Sequence, residues 1–326
     1  MNHRFFRVAG LFLGVAVAAC SDPSGVSQKE TPAATPASAR PGVLDAAHEA
    51  YLNGDFIAMS ERIRDVLLDP DSNELVKENA YALLDKAYES NKGNLPSRFK
   101  LPEGYQGVQY GALRGMTKNG PFYQVFSRGR ARDASHLVGL TVKRLPDEVL
   151  LDKQTKKGDF DLRDDEPGYK DFVLQLKVPA LPGDGVFTIR LELDDGTVSE
   201  GWFIGHNLEA SACPEIKSPA PTATLADPNP LVTWVPFRTP QFAAFEHRTL
   251  VVGVSKADDE GNDWYFWTDK PGDLGAVRIG AHPGILEKKL DAGDYWLSVG
   301  AHELRNFGPI RVQRVASTVL PIHVVR

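Results

Sequence analysis

Four carboxylate residues lie within one short stretch of the sequence, at Asp258, Asp259, Glu260 and Asp263. Oxygen ligands of this kind suit Ca²⁺, which takes about six to eight of them. The glycine in this stretch is not at the position that an EF-hand loop requires. We therefore interpret the stretch as a solvated hairpin loop, with a weak calcium site as the alternative.

Four aromatic residues follow directly, at Trp264, Tyr265, Phe266 and Trp267. In a strand, Trp264 and Phe266 share one face, and Tyr265 and Trp267 share the other. One pair is expected in a core, while the other can form an exposed platform for a sugar ring or a partner protein. Cover by a neighbouring domain explains the same pattern and is favoured. Trp264, Tyr265 and Trp267 remain the candidate ligand-binding residues.

Residues with catalytic chemistry do not form a complete motif. The sequence has no Gly-x-Ser-x-Gly elbow, no His-Glu-x-x-His and no phosphate-binding glycine loop. Ser97 and Lys100 fit the Ser-x-x-Lys pattern but lack its Ser-Asp-Asn and Lys-Thr-Gly partners. The eight histidines show no metal-ligand spacing. We predict a non-enzymatic protein with no catalytic residues, no cofactor and no dedicated metal site.

The amino terminus has the features of a secretory signal peptide. Arg4 and Arg7 precede an apolar block from Val8 to Ala19, and Cys20 follows. The block is shorter than the roughly 20 apolar residues that a membrane span needs. Export from the cytoplasm is therefore the expected fate of this chain.

The run Val17-Ala18-Ala19-Cys20 resembles the lipobox of bacterial lipoproteins. The resemblance implies cleavage after residue 19, a diacylglyceryl thioether on Cys20 and lipid anchoring in the bacterial cell envelope. Ser21, where aspartate would favour the inner membrane, favours the outer membrane. The periplasmic and surface faces both remain open. The alternative is an ordinary cleaved signal with an incidental cysteine.

The composition and the net charge of the chain indicate which classes of molecule it could bind. The chain is 42% apolar and 25% charged, which is typical of globular proteins. A net charge of −6 without basic runs argues against nucleic-acid binding. If Cys20 carries lipid, the other cysteine, Cys213, has no intrachain partner. A buried structural Cys213 is favoured over an intermolecular disulfide.

A disordered tether and a helical module are predicted next. Residues 20–42 are rich in Pro, Ala, Ser and Thr, which cannot bury enough surface to order the chain. Residues 43–97 carry apolar residues at helical spacing, with Ser72 as a predicted N-cap. Their order, with Ala50-Tyr51, Gly54-Asp55-Phe56 and a closing Pro70, resembles about one and a half tetratricopeptide repeats. The resemblance implies a peptide-binding face, but a helical hairpin packed on the next domain is favoured.

In residues 101–208 apolar and polar residues alternate with a period of two, which predicts an antiparallel β-sandwich of six or seven strands. One predicted strand has Val138, Leu140 and Val142 on its inward face. Asp194-Asp195-Gly196 predicts a hairpin turn, because glycine accepts the positive φ that such turns require.

Residues 213–326 predict a second sandwich. Trp234, followed by Pro236, and Tyr295, preceded by Leu290-Asp291-Ala292-Gly293-Asp294, resemble motifs of fibronectin type III and related immunoglobulin-like domains. The resemblance implies that Trp234 fills the core. It also implies that the Tyr295 hydroxyl bonds back to the preceding turn, as in a tyrosine corner. Both residues are structural in this interpretation.

The predicted fold class is mostly β. It comprises two antiparallel β-sandwich domains behind a small tetratricopeptide-like α-helical module and a disordered tether. The function predicted is that of a lipid-anchored adaptor, binding or structural component of an envelope assembly, with another envelope protein as its partner. The alternative is a carbohydrate- or peptidoglycan-binding lipoprotein that uses the aromatic strand. An unrecognised hydrolase ranks third.

Overall fold

The structure is a computed structural model that describes most of the chain beyond the tether. Among the described residues, the chain forms three α-helices, one short 3-10 helix (Ala134–His136) and seventeen strands. No helix among them is both long and apolar enough to cross a membrane. Residues 1–41, which include the predicted signal peptide and Cys20, lie outside the described part. That part consists of residues 42–164, 168–208, 213–227, 229–235, 247–256, 264–268, 275–279 and 290–325.

The helical module contains α1 (Val43–Leu52), α2 (Phe56–Leu68) and α3 (Glu74–Ser90). The Asp55 side chain caps α2 by accepting a 3.0 Å hydrogen bond from the amide of Ala58. Asn73, one residue after the predicted Ser72, caps α3 in the same way. The prediction of Ser72 was wrong because the Asn73 side chain reaches the amide of Val76, at 3.0 Å.

The inner faces of the helices pack against strands rather than forming a free groove. The Arg64 guanidinium of α2 lies 4.9 Å from the ring centroid of Trp202, which follows in the first sandwich. This is the packed helical hairpin that the sequence favoured over a peptide-binding face. The buried side chains that join the helices to the first core are Ala47, Met59, Ile63, Val66, Ala80, Leu83, Leu84, Ala87 and Tyr88.

The strands alternate with short turns over the rest of the described chain. In order they are β1 (Asn94–Leu95), β2 (Tyr105–Thr117), β3 (Gly120–Ala131), β4 (Leu137–Arg144), β5 (Glu148–Asp152), β6 (Asp159–Asp164), β7 (Lys170–Val178), β8 (Gly185–Leu193), β9 (Val198–Gly205), β10 (Ile216–Ser218), β11 (Thr224–Leu225), β12 (Leu231–Trp234), β13 (His247–Lys256), β14 (Trp264–Thr268), β15 (Ala276–Arg278), β16 (Gly293–Phe307) and β17 (Ile310–Val324).

These strands form three sheets. The largest has ten strands, in the order β14-β13-β16-β17-β2-β3-β7-β6, with β1 beside β16 and β11 beside β17. The four-stranded sheet β5-β4-β8-β9 covers one half of it, and the three-stranded sheet β10-β12-β15 covers the other half. The mostly-β fold class with two sandwiches behind a helical module is therefore confirmed.

The long β16–β17 hairpin belongs to both sandwiches. Tyr295 and Ile322 lie at one end, in the second core. Phe307 and Ile310 lie at the other end, in the first core. Strand β17 also pairs in parallel with β2, from Ile310 opposite Val108 onward. Strands from residues 101–208 and from residues 213–326 thus form one continuous sheet, which the sequence did not predict.

One local prediction in the first sandwich was wrong. Val138 is 43% exposed, because an irregularity between Leu137 and Gly139 inserts it as an extra residue and moves Leu137 to the inward position. The acidic stretch that begins at Asp159 forms strand β6 at the end of the ten-stranded order. Its charges suit an edge, since charged side chains discourage further strand pairing.

Candidate functional site

The two predicted structural residues lie in the second core. Trp234 is 3% exposed and Tyr295 is 1% exposed. The Tyr295 hydroxyl donates a 3.1 Å hydrogen bond to the carbonyl of Asp291, which is the geometry of a tyrosine corner. In the described structure both side chains pack the core.

The predicted aromatic strand is β14, which ends the ten-stranded order among the described residues. Phe266 pairs with the buried Val252 and packs against the second core. Trp264 occupies a position on the same strand face as Phe266, and Tyr265 and Trp267 occupy the alternate positions. The division into a core pair and an exposed platform stays a prediction.

The remaining sequence candidates fall outside the described residues. These are Cys20 and the calcium candidates Asp258, Asp259, Glu260 and Asp263. Within the described ranges, no group of three or more histidine, cysteine or acidic side chains is arranged to hold a metal ion.

Cys213 is a partly buried free thiol. Its Sγ donates a 3.5 Å hydrogen bond to the carbonyl of Arg114. Burial raises the pKa of the Cys213 thiol. A raised pKa lowers the thiolate fraction and hence the reactivity, so the local environment suits a structural cysteine.

The structure does bring ionisable residues together where α3 meets the end of β9. The ring of His206 stacks on that of Tyr81, with centroids 4.3 Å apart and planes at 10°. His206 Nδ1 lies 3.1 Å from a carboxylate oxygen of Asp85, and Nε2 lies 3.5 Å from one of Asp184. His206 thus connects α3 to the segment before β8.

Two buried arginines complete this region. Arg305 has a fully buried side chain; it donates a 2.7 Å hydrogen bond to the His206 carbonyl and lies 3.4 Å from Asp85. Arg314 donates 2.7 Å hydrogen bonds to Glu303 and to the Asn207 carbonyl. We define the junction cluster as Tyr81, Asp85, His206, Glu303, Arg305 and Arg314.

The junction cluster makes its contacts within this one chain. Its arginines pair with the carboxylates of Asp85 and Glu303 and donate to two consecutive backbone carbonyls. Burial raises the pKa of the adjacent Tyr88 to about 12, so that its hydroxyl stays protonated. Buried charges are stable only when they are paired and hydrogen-bonded, as they are here. This arrangement fixes the helical module and the end of β9 to the shared hairpin.

Sequence reasoning missed the junction cluster, although one signal was present. Glu303 and Arg305 continue the inward period of β16 that begins with Tyr295 and Leu297. Charged residues at inward positions of a strand indicate a buried ionic network. Their partners lie far away in the sequence; Asp85 and Arg305 are 220 residues apart.

A polar cleft of about 290 Å³ opens at one end of the first sandwich. His136 lies in it, with Nδ1 2.8 Å from Asp194 and Nε2 3.4 Å from Asp133. The hydrogen bond to Asp194 raises the pKa of His136. The Ser135 hydroxyl bonds to Asp133 rather than to His136, so these residues do not form an activated nucleophile. The lining residues are Glu103, Gly104, Tyr105, Arg132, Asp133, His136, Leu193, Asp194 and Asp195.

A hydrogen-bonded chain crosses the opposite face of the ten-stranded sheet. Arg128 Nε donates to Gln109 at 2.9 Å, and Gln109 donates to Gln313. Gln313 Nε2 lies 2.9 Å from His302 Nδ1. Burial, with the charge of Arg128, lowers the pKa of His302 to about 4, so Nδ1 is free to accept this bond. We call these four residues the polar ladder.

No family model matches the sequence. No curated protein matches it either.

Several solved structures of Ig or fibronectin(III)-like modules match this chain at low similarity. One is the N-terminal Ig1-2 module of the Drosophila receptor protein tyrosine phosphatase DLAR. It is 11% identical, covers 68% of this chain and 96% of that chain, and has a TM-score of 0.30. Another comprises the fibronectin(III)-like modules of Clostridium thermocellum CbhA, at 11% identity, 67% and 93% coverage and a TM-score of 0.19. Similarity at this level carries no functional inference.

Proposed function

We propose that this chain is a lipid-anchored, non-enzymatic binding protein of the bacterial cell envelope that acts as a rigid adaptor. The observation that supports it best is the continuous ten-stranded sheet, in which the β16–β17 hairpin belongs to both sandwiches. Two sandwiches that share strands cannot hinge as separate domains do, because bending would break the ladder between β17 and β2.

The helical module is held to the same rigid body. Strand β1, directly after α3, pairs with β16, with the Asn306 amide donating to the Gly93 carbonyl at 2.7 Å and the Gly308 amide donating to Leu95 at 2.7 Å. The junction cluster adds its buried arginines to this attachment. A partner bound at the cleft or at a loop would therefore be held at a fixed distance from the start of α1.

Lipid anchoring at Cys20 is tested by cell fractionation and by mass spectrometry of the mature amino terminus. In the native bacterium, the unchanged protein and a Cys213→Ser variant should carry diacylglycerol and sediment with membranes. A Cys20→Ser variant should carry no lipid and lose its membrane association. An unlipidated wild-type protein would overturn the anchor.

The adaptor role is tested by crosslinking in intact cells of the native host. We expect the full-length wild type to capture one protein partner reproducibly. The Cys20→Ser variant, which should not attach to the membrane, should not capture it. Capture of peptidoglycan alone would overturn the adaptor proposal in favour of the second candidate. Capture of neither would overturn both.

The second candidate is glycan binding by the aromatic strand. It is supported by the register of β14, in which Tyr265 and Trp267 alternate with the core residue Phe266. Aromatic faces stack on sugar rings. We expect Trp267→Ala to lower retention on peptidoglycan at least tenfold, while Tyr169→Ala, an aromatic change in the first sandwich, leaves it unchanged. Equal retention of both variants would contradict this candidate.

A further inference from the structure

Two arginines, Arg128 and Arg311, flank Gln109 on the face of the sheet that carries the polar ladder. Gln109 of β2 pairs with Arg128 of β3 on one side and with Arg311 of β17 on the other. Directly paired residues point to the same face of a sheet. Both arginines line one small pocket together with Gln109 and Asp171.

The carboxylate in this pocket, Asp171, already forms an ion pair with Arg130. Asp171 lies 3.0 Å from Arg130 Nε, on the next outward position of β3. Within the described residues, the Arg128 side chain donates its hydrogen bond through Nε, to the side-chain oxygen of Gln109. The two terminal nitrogens of its guanidinium, which carry four N–H donors, are not used in that bond.

The environment of Arg128 disfavours its positive charge. Loss of hydration lowers the pKa of Arg128 to about 10; Asp171 opposes this change, while Arg311 and Arg130 add to it. Burial also lowers the pKa of Arg311. Like charges gathered where water is scarce are costly unless a counter-charge joins them.

The polar ladder holds Gln109 in one orientation. Its carbonyl oxygen accepts from Arg128, and its amide nitrogen donates to Gln313, which in turn bonds His302. Rotation of the Gln109 amide would place its NH₂ against the Arg128 donor. The Arg128 side chain is thereby oriented in advance, which reduces the entropy lost when a ligand binds.

We propose that the pocket formed by Gln109, Arg128, Asp171 and Arg311 binds an oxyanion, through one carboxylate or phosphate oxygen inserted between the two arginines. The pocket volume of about 10 Å³ admits a single atom of water size. A guanidinium presents parallel donors that match carboxylate and phosphate oxygens. The remainder of the ligand lies outside the pocket. The site is independent of lipid anchoring and of the adaptor role.

The test is thermal unfolding of the purified full chain at pH 7.5, with sodium chloride replaced by sodium acetate or sodium phosphate at constant ionic strength. We expect a saturable rise in the melting temperature, of about 5 °C when the anion exceeds its Kd about a hundredfold. The anion that acts at the lower concentration identifies the ligand as carboxylate or phosphate. Arg128→Gln should abolish the rise.

The matched control is Arg163→Gln, which removes the same charge from the exposed Arg163–Asp161 pair on β6. It should keep the full anion-dependent rise, which separates specific binding from the general stabilisation by excluded salts. If Arg128→Gln does not fold, Arg311→Gln serves as the second variant. Calorimetric titration of the wild type with each anion provides an independent measurement. A rise of equal size in all variants, or no saturable binding, would overturn the site.

Discussion

Replacement of Arg314 by methionine tests whether the junction cluster holds the molecule together. Arg314 is paired with Glu303 at 2.7 Å, and the two side chains are only 2% and 5% exposed. Methionine retains much of the apolar stem but removes the charge, so that the buried Glu303 loses this ion pair and the Asn207 carbonyl loses its donor. Breaking one side of such a pair costs about 3–5 kcal/mol of the free energy of unfolding.

The expected consequence is a lower melting temperature. For a chain of this size, 1 kcal/mol corresponds to about 1.5–2 °C, so Arg314→Met should melt about 4–10 °C below the wild type. Urea unfolding, followed by circular dichroism with its m-value fitted, measures the free energy directly. Because an apolar pair can replace a buried ion pair at little cost, Glu303→Met combined with Arg314→Met should recover most of the loss.

An exposed ion pair provides the comparison. Arg163→Met removes the partner of Asp161 on the edge strand β6, where the side chains are 28% and 48% exposed. Exposed pairs contribute at most about 1 kcal/mol. A loss in Arg314→Met no greater than in Arg163→Met would refute the reasoning, as would a double variant no more stable than Arg314→Met alone.

Three further changes have defined outcomes. The pKa of His302 is lowered from 6.5 to about 4 in the folded chain; the unfolded chain therefore takes up the proton first, and stability should fall by about 2 kcal/mol between pH 7 and pH 5. Urea unfolding at the two pH values should show a smaller fall in His302→Gln, and an unchanged fall would contradict the assignment. Gly111→Ala would place a Cβ 2.0 Å from the Phe126 ring and should lower the free energy of unfolding by about 1–3 kcal/mol. The control is Gly107→Ala, whose Cβ meets nothing closer than 3.9 Å and which should cause no such loss. Equal melting temperatures of the two variants would contradict the close packing at Gly111. Arg305→Met removes the bond to the His206 carbonyl and the contact with Asp85, so limited proteolysis should cut between α3 and β2 faster than in the wild type. An unchanged rate would show that these two contacts do not hold the helices in place.

Much of the fold could be predicted because its signals are local. The period of two along Phe187, Ile189 and Leu191 indicates a half-buried strand, and all three side chains are fully buried. Gly196, predicted in the hairpin turn, has a φ of +85° and lies between β8 and β9. Such features depend on neighbours in the sequence.

The shared sheet and the sites could not be predicted because they depend on distant pairings. Nothing near Ile310 in the sequence indicates that it pairs in parallel with Val108. The irregularity at Val138 depends on the partner strand β8, and it reverses the face that alternation alone assigns. The polar ladder joins His302 to Arg128 through residues of four strands, and only their register places them side by side.

The sequence distance between β2 and the β16–β17 hairpin has a consequence for folding during synthesis. The first sandwich needs Phe307, Ile310 and Val312 to close its core, although its own strands begin at Tyr105. In a chain synthesised from its amino terminus, the hairpin therefore emerges after the other strands of that sandwich. Pairings across such sequence distances form slowly, and incomplete sheets expose unpaired strand edges in the meantime. We therefore expect the first sandwich to complete its core only after β17 has been synthesised.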